Sequence, residues 1–471
     1  MINVKYYEQR SAYDADESKL ILPNLSFCKD TGEVFYNPKP HDYSQDYLTF
    51  VAEENGTFKF SGNSVNYSVD NGTTWTTLAS DTDTQPISAG DKIMFKATLA
   101  PTSNGIGTFY STSRFTTQGN PMSLLYGDNF IEQTDLSGKN YTFYMLFSGC
   151  TGLTSAENLS LPATTLASNC YQNMFFGCTS LTTAPELPAT ILANSCYNGM
   201  FSGCTSLTTA PELPATTLAS NCYQNMFAYC TSLTTAPVLP ATTLTNGCYS
   251  GMFDGCTSLT TAPELPATTL TNYCYTSMFK GCTSLTTAPV LPATTLAESC
   301  YNSMFYKCTS LTTAPALSAT TLTNYCYYYM FNGCTSLTTA PSLPATTLAS
   351  SCYQYMFAGC TSLTTVPSLP ATTLANYCYQ YMFSGCTSLT TAPDLPATTL
   401  VSNCYNGMFI NCTNLNKITC LATDISAYNC TNSWVYGVAA TGTFIKADSM
   451  SSWTTGNSGI PSGWTVQDYQ S

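Results

Sequence analysis

Residues 169–192 read Asn-Cys-Tyr-Gln-Asn-Met-Phe-Phe-Gly-Cys-Thr-Ser-Leu-Thr-Thr-Ala-Pro-Glu-Leu-Pro-Ala-Thr-Ile-Leu. The second cysteine of this stretch recurs at Cys178, Cys204, Cys230, Cys256, Cys282, Cys308, Cys334, Cys360, Cys386 and Cys412, always 26 residues apart. A looser unit ends at Cys150, 28 residues before the first of them. A fixed period of this length marks a solenoid, in which each unit buries its apolar face against its neighbours.

Position by position, the unit predicts one short helix and one short strand. Leu166, Cys170, Met174 and Cys178 fall at i, i+4, i+8 and i+12, one stripe of a helix. Ser168 is a candidate cap at its start and Gly177 sits just past its end, so a helix is expected near 167–176. The run from Thr179 is rich in β-branched residues, and Pro185 and Pro188 cannot donate to a ladder. A strand is therefore expected only near 180–184. Leu181, Ala184, Leu187 and Leu192 are expected inside, with the cysteines, Met174 and Phe175. Helices pack 8–10 Å apart and strands about 4.8 Å apart, so such a solenoid is expected to curve. The fold class is an α+β repeat solenoid, leucine-rich-repeat-like, of about eleven units over 131–430.

Charged residues make up only 9% of the 471, well under the roughly 25% of an average domain. The net charge of −13 lies mostly outside the repeats, where seven acids meet only Lys280 and Lys307 between residues 151 and 412. Nucleic acid needs clustered Lys and Arg, which this hydroxyl-rich surface lacks. Twenty of the 24 cysteines form two columns, Cys170/Cys178 through Cys404/Cys412. Rows of buried thiols are the favoured reading, since free Cys behaves as a small buried hydrophobe. Disulfides are the alternative, and zinc a weaker one, because no histidine accompanies the columns.

Residues 1–45 form an irregular leader, an attachment arm or a lead-in strand pair around Asp30-Thr-Gly32. From 46 to 130 the pattern alternates, and Asp70-Asn-Gly72 is a hairpin signal, so an antiparallel β-sandwich is expected. Asp81 and Asp83 are a solvated turn or, less favoured, a calcium site. In the tail, 431–471, Trp434, Trp453 and Trp464 are expected to cap the open end of the solenoid, with sugar binding the alternative. The start lacks the apolar core of a signal peptide, and no transmembrane span is evident.

The Met-Phe-x-Gly-Cys-Thr-Ser-Leu core with its Leu-Pro turn resembles the BspA-like class of leucine-rich repeats, which typically read Ala-Phe-x-x-Cys-x-x-Leu. The likeness runs over about Tyr141–Cys430 and departs from the class in the added cysteine at Cys170 and the added proline at Pro185. The N-terminal block and the segment 442–466 also look like those accompanying such repeats in gut Bacteroides-type bacteria and their crAss-like phages. The resemblance implies extracellular binding, by adhesins on the bacterial side and by virion fibre or decoration proteins on the phage side. The start of the chain tips the expectation to a virion protein, with a bacterial surface adhesin or a purely structural component as alternatives. Expected partners are other virion proteins, through the N-terminal region, and a host surface protein or glycan, with a homo-oligomer possible and no nucleic acid or membrane insertion. No cofactor or metal is expected.

One histidine far from the repeats and no clustered carboxylates leave no acid–base set, so catalysis is not expected. Recognition is expected at positions that vary from unit to unit. These hold Tyr273, Tyr325 and Tyr377 before the first cysteine, Tyr328, Tyr329, Tyr355 and Tyr381 after Cys-Tyr, and Tyr229 before the second cysteine. Tyr with Asn and Gln suits polar recognition at low entropic cost. The alternative is a merely solvated face. The invariant tyrosine of each unit, Tyr171 and its equivalents, is expected to pack inside.

Overall fold

The computed structural model describes residues 25–27, 34–36, 41–451 and 453–470. β1 (Leu25–Phe27) pairs antiparallel with β2 (Val34–Tyr36), as the leader sequence suggested. The rest of the attachment-arm expectation for 1–45 lies largely outside the described residues.

A six-stranded sheet follows, built from β3 (Leu48–Ala52), β5 (Val65–Ser68), β6 (Thr76–Leu78), β7 (Lys92–Lys96), β9 (Phe115–Gly119) and β10 (Leu153–Leu159) in the order β10-β9-β3-β7-β5-β6. β4 (Lys59–Ser61) and β8 (Thr108–Tyr110) form a separate antiparallel pair. Phe109 of that pair packs its ring 4.9 Å from Phe50 and 4.8 Å from Phe95 of the large sheet, which makes the region a small sandwich. The Asp70-Asn-Gly turn joins β5 to β6, with Asn71 and Gly72 both at positive φ as a tight hairpin requires. A one-turn helix α1 (Ser123–Tyr126) leads toward the repeats.

The sandwich does not end at residue 130. β10 belongs to the first coil of the solenoid, yet it pairs parallel with β9. Phe147 of the same coil lies 5.9 Å from Phe109 and 5.4 Å from Phe175. The phenylalanine core of the sandwich and the aromatic column of the solenoid are therefore one body of buried side chains.

The expected helix at 167–176 is replaced by a run of consecutive tight turns. Every fourth residue is left-handed: Asn169 (φ 58°), Asn173 (φ 54°) and Gly177 (φ 69°), and likewise in every coil from Met145 to Ser433. Amide hydrogens alternate in use. Cys170, Gln172 and Met174 donate within the coil to the carbonyl three residues back. Asn169, Tyr171, Asn173 and Phe175 donate to carbonyls of the next coil at 2.8–3.0 Å. An α-helix would close all these bonds internally and leave nothing to tie the coils together. The true period is four, so Cys170, Met174 and Cys178 stay on one buried face, with Tyr171 and Phe175 beside them.

The expected strand at 180–184 is reduced to single bridging residues, Thr183 to Ser155 and Thr209 to Thr235, with a second row through Thr165, Ile191 and Thr217. Pro185 and Pro188 remove the donors that would lengthen it. With backbone bonds on both sides of each coil, the helix-against-strand reason for a curve falls away.

The interior is columnar. Rings from Tyr171 to Tyr405 stack with centroids 5.7–6.0 Å apart. Rings from Phe147 to Phe409 stack at 5.4–5.9 Å. All 23 described cysteines are buried free thiols. The second-column thiols, Cys178 to Cys412, each donate to a phenylalanine carbonyl of the preceding coil at 3.0–3.1 Å.

The turn register runs past residue 430, to Gly437. β11 (Lys417–Cys420), β12 (Thr443–Lys446) and β13 (Thr465–Asp468) form a parallel sheet that continues the bridges beyond Thr391. Trp434 is fully buried beneath Tyr405, stacks on Trp453 at 5.7 Å and donates Nε1 to the Gly459 carbonyl. Trp464 donates to Ala439. The tryptophans close the C-terminal end.

Candidate functional site

Each left-handed residue throws its side chain over the same position of the following coil. A Cβ on Gly255 would lie 2.6 Å from the Tyr229 ring, and one on Gly407 would lie 2.2 Å from the Tyr381 ring. Seven of the eight tyrosines singled out from the sequence occupy such positions: Tyr229, Tyr273, Tyr325, Tyr329, Tyr355, Tyr377 and Tyr381, with φ between 54° and 61°. Tyr328 is the exception.

Two arrangements result. Tyr329, Tyr355 and Tyr381 follow one another in adjacent coils and stack as coplanar rings 4.5 and 4.7 Å apart. Tyr328 meets Tyr329 edge-on at 4.4 Å and also touches Tyr325 and Tyr355. In the other column tyrosines alternate with small residues: Tyr273, Ser299, Tyr325, Ser351, Tyr377, Asn403. The tyrosines are 46%, 40% and 40% exposed, while Ser299, Ser351 and Asn403 are 4%, 2% and 5% exposed. Each tyrosine therefore covers the small residue of the next coil while staying partly exposed itself.

The structure thus gathers Tyr325, Tyr328, Tyr329, Tyr355 and Tyr381 into one ring cluster, with Tyr377 on the same coil as Tyr381. Tyr229 stands apart, and Tyr273 makes no ring contact. Sequence reasoning missed Tyr306, whose ring is 6.0 Å from Tyr329. Its neighbour Lys307 lies over the Tyr306 ring at 5.3 Å and, among the described residues, has no acidic partner. Lys280, by contrast, is paired with Asp254 at 2.9 Å. Between the two tyrosine columns runs a row of amides, in which Gln354 donates to Gln380.

Burial first, and then the neighbouring Tyr329 phenol, push the Tyr328 hydroxyl up to about 12. Tyr329 and Tyr355 are also raised, chiefly by burial. The face is a set of phenol hydroxyls and amides beside one lysine. It can stack on and hydrogen-bond to a ligand. Among the described residues no group of three or more His, Cys, Asp or Glu side chains is placed to hold a metal.

The left-handed backbone is costly for tyrosine. A Cβ-bearing residue loses roughly 1–2 kcal/mol there relative to the right-handed basin, and Gly and Asn escape most of this. Other coils place Gly, Asn or Ser in these same columns, as with Asn221 over Gly247. Tyr229→Asn is accordingly expected to raise stability by about 0.5–1 kcal/mol. An unchanged or lowered urea midpoint for this variant would show that the tyrosine carries no strain.

This stack of identical coils, tied by alternate amides and filled by leucine, cysteine and aromatic columns, defines a leucine-rich-repeat solenoid. Residues 143–252, 223–342 and 329–444 match the family described as BspA type Leucine rich repeat region, in six copies, and the chain belongs to that family. No curated protein matches the chain.

Proposed function

We propose that the chain is a non-enzymatic binding protein, a fibre or decoration protein of a phage virion, whose solenoid recognises a protein or glycan on a host cell surface. One observation carries this reading: tyrosines sit at seven left-handed positions where glycine or asparagine folds at lower cost. Strain kept in an exposed aromatic patch points to a use for the patch. The buried thiols support assembly in a reducing cytoplasm before release. Export through an oxidising compartment fits the 23 unpaired cysteines among the described residues poorly. Among the described residues no helix is long and apolar enough to cross a membrane.

Adsorption of the purified chain to host cells tests the reading. The variant Y325N/Y328A/Y329N/Y355N is expected to bind at least tenfold more weakly with no loss of thermal midpoint. Adsorption as strong as that of the unaltered chain would leave the solenoid a structural spacer.

A further inference from the structure

Given the binding role proposed above, the one unpaired charge on this face says what the ligand carries. We infer that Lys307, with Tyr306 and the Tyr328–Tyr329 pair beside it, binds the carboxylate of an acidic sugar in an otherwise neutral glycan. Three observations carry this. The first is where the lysine stands. Lys307 takes a left-handed backbone (φ 58°) in a column that is glycine on both sides of it, at Gly255, Gly281, Gly333, Gly359 and Gly385. Lysine is disfavoured there and glycine is not. An exposed side chain kept on a strained backbone is a functional candidate.

The second is how the lysine is held. A Cβ on Gly333 would come 3.1 Å from Cγ of Lys307, so the lysine stem lies against bare backbone of the next coil. Its ammonium is 5.3 Å from the centre of the Tyr306 ring. Tyr306 is 6.0 Å from Tyr329, and Tyr329 is 4.4 Å from Tyr328. The cation thus stands at the border of the ring cluster. Glu298, the nearest acid in sequence, forms no ion pair with it among the described residues, and Lys280 is already held by Asp254 at 2.9 Å.

The third is the charge count. Between residues 151 and 412 seven acids face two lysines, and Lys307 is the one of the two without an acidic partner. The chain carries −13 overall. A polyanion such as nucleic acid or a densely sulfated chain would meet a single cation and be repelled by the rest. One carboxylate on a neutral ligand meets the cation without that cost. Sugar hydroxyls both donate and accept, as do the phenols of Tyr306, Tyr328 and Tyr329, whereas a peptide carboxylate brings the charge with few hydroxyls to match them.

Calorimetry of the full chain with sialyllactose and with cellobiouronic acid tests the site, since each is a neutral sugar carrying one carboxylate. The methyl ester of each, and a capped pentapeptide with one aspartate, are the comparisons. At least one of the acids is expected to bind, with its ester and the peptide at least tenfold weaker. Lys307→Gly restores the residue of the coils on either side, so no loss of thermal midpoint is expected. It should weaken binding about tenfold, the loss of one charge-assisted contact. Lys307→Arg keeps the charge and is expected to stay within about threefold of the unaltered chain. Equal affinity for acid and ester, equal affinity in Lys307→Gly, a peptide bound as tightly as the sugar, or no binding of either acid would each overturn the site. Cell adsorption run in parallel separates this from the wider reading. Adsorption weakened in Y325N/Y328A/Y329N/Y355N but unchanged in Lys307→Gly removes the acidic sugar and keeps the face. Adsorption indifferent to both removes the face as well.

Discussion

Raising the pH from about 8 to about 10 is expected to unfold the repeat region in a narrow interval. The cause is the number of thiols held neutral by burial. Cys170, Cys378 and Cys412 are pushed up to about 12 from the ordinary thiol value of 9.0, and Cys178, Cys204 and Cys334 are raised well above it, with burial the largest cause in every case. The sign follows directly. A raised folded value leaves stability whole below about 9, where both states hold the proton. As the pH climbs from 9 toward 12 only the unfolded chain releases protons, and stability is lost. Each such thiol contributes about 1.4 kcal/mol per pH unit. Twenty column cysteines acting together amount to roughly 25–30 kcal/mol by pH 10, comparable with the whole stability expected of a domain this long. The buried tyrosine column adds to the effect a unit higher, since Tyr197 and Tyr327 are also raised by burial. Circular dichroism against pH, with Ellman titration of accessible thiols at each point, reads both events. Thiols should stay silent at pH 8 and appear only together with the loss of structure, coil by coil as the stack opens. A fold persisting unchanged at pH 11, or thiols titrating one by one from the native state, would contradict a dry, protonated interior.

How far the sequence revealed this molecule depends on the kind of signal. Repeat length, the inward face and the aromatic cap were legible because they rest on identity at fixed intervals, which stacking preserves. The alternating stretch from 46 also formed antiparallel strands, and Asp70-Asn-Gly72 turned as hairpin chemistry requires. β3 is the strand of this stretch with the weakest signal. Leu48-Thr-Phe-Val-Ala52 is buried almost throughout, so it lacks the alternation that marks a half-exposed strand.

The helix was misread for a more instructive reason. A stripe at i, i+4 and i+8 belongs equally to a 3.6-residue helix and to a run of four-residue turns over so short a span. The deciding signal sat one residue away. Asn169, Asn173 and Gly177 recur as Ser195, Gly199 and Gly203, then as Gly247, Gly251 and Gly255, a column of residues that accept a left-handed backbone. Gly177 was read as a helix stop when it was one member of that series. The same oversight hid the strain under the tyrosines. They looked merely variable, although they occupy backbone positions where tyrosine is disfavoured.

Removing the C-terminal plug is the second large perturbation. Trp434→Ala is expected to cost about 3–5 kcal/mol, the usual penalty for emptying a fully buried large aromatic site. The loss should be local. Trp434 occupies the methionine place of the last coil, under Tyr405 and Phe409, and its Nε1 satisfies the Gly459 carbonyl. Phe409 donates its amide hydrogen to the Trp434 carbonyl, and Tyr405 donates to that of Cys430. In a stack where each coil touches only its neighbours, stability is a sum of coil and interface terms, so an opened end frays inward. Amide exchange should therefore quicken most at Tyr405, Phe409 and Asn411, less at Tyr379 and Phe383, and not at all at Tyr171. Phe279→Ala, in the middle of the column, removes a comparable ring but leaves both ends capped by the sandwich and the tryptophans. It should loosen coils on both sides of residue 279 and spare the C-terminal one. Identical exchange patterns for the two variants would mean that the solenoid unfolds as a single unit, and the cap would then have no distinct role.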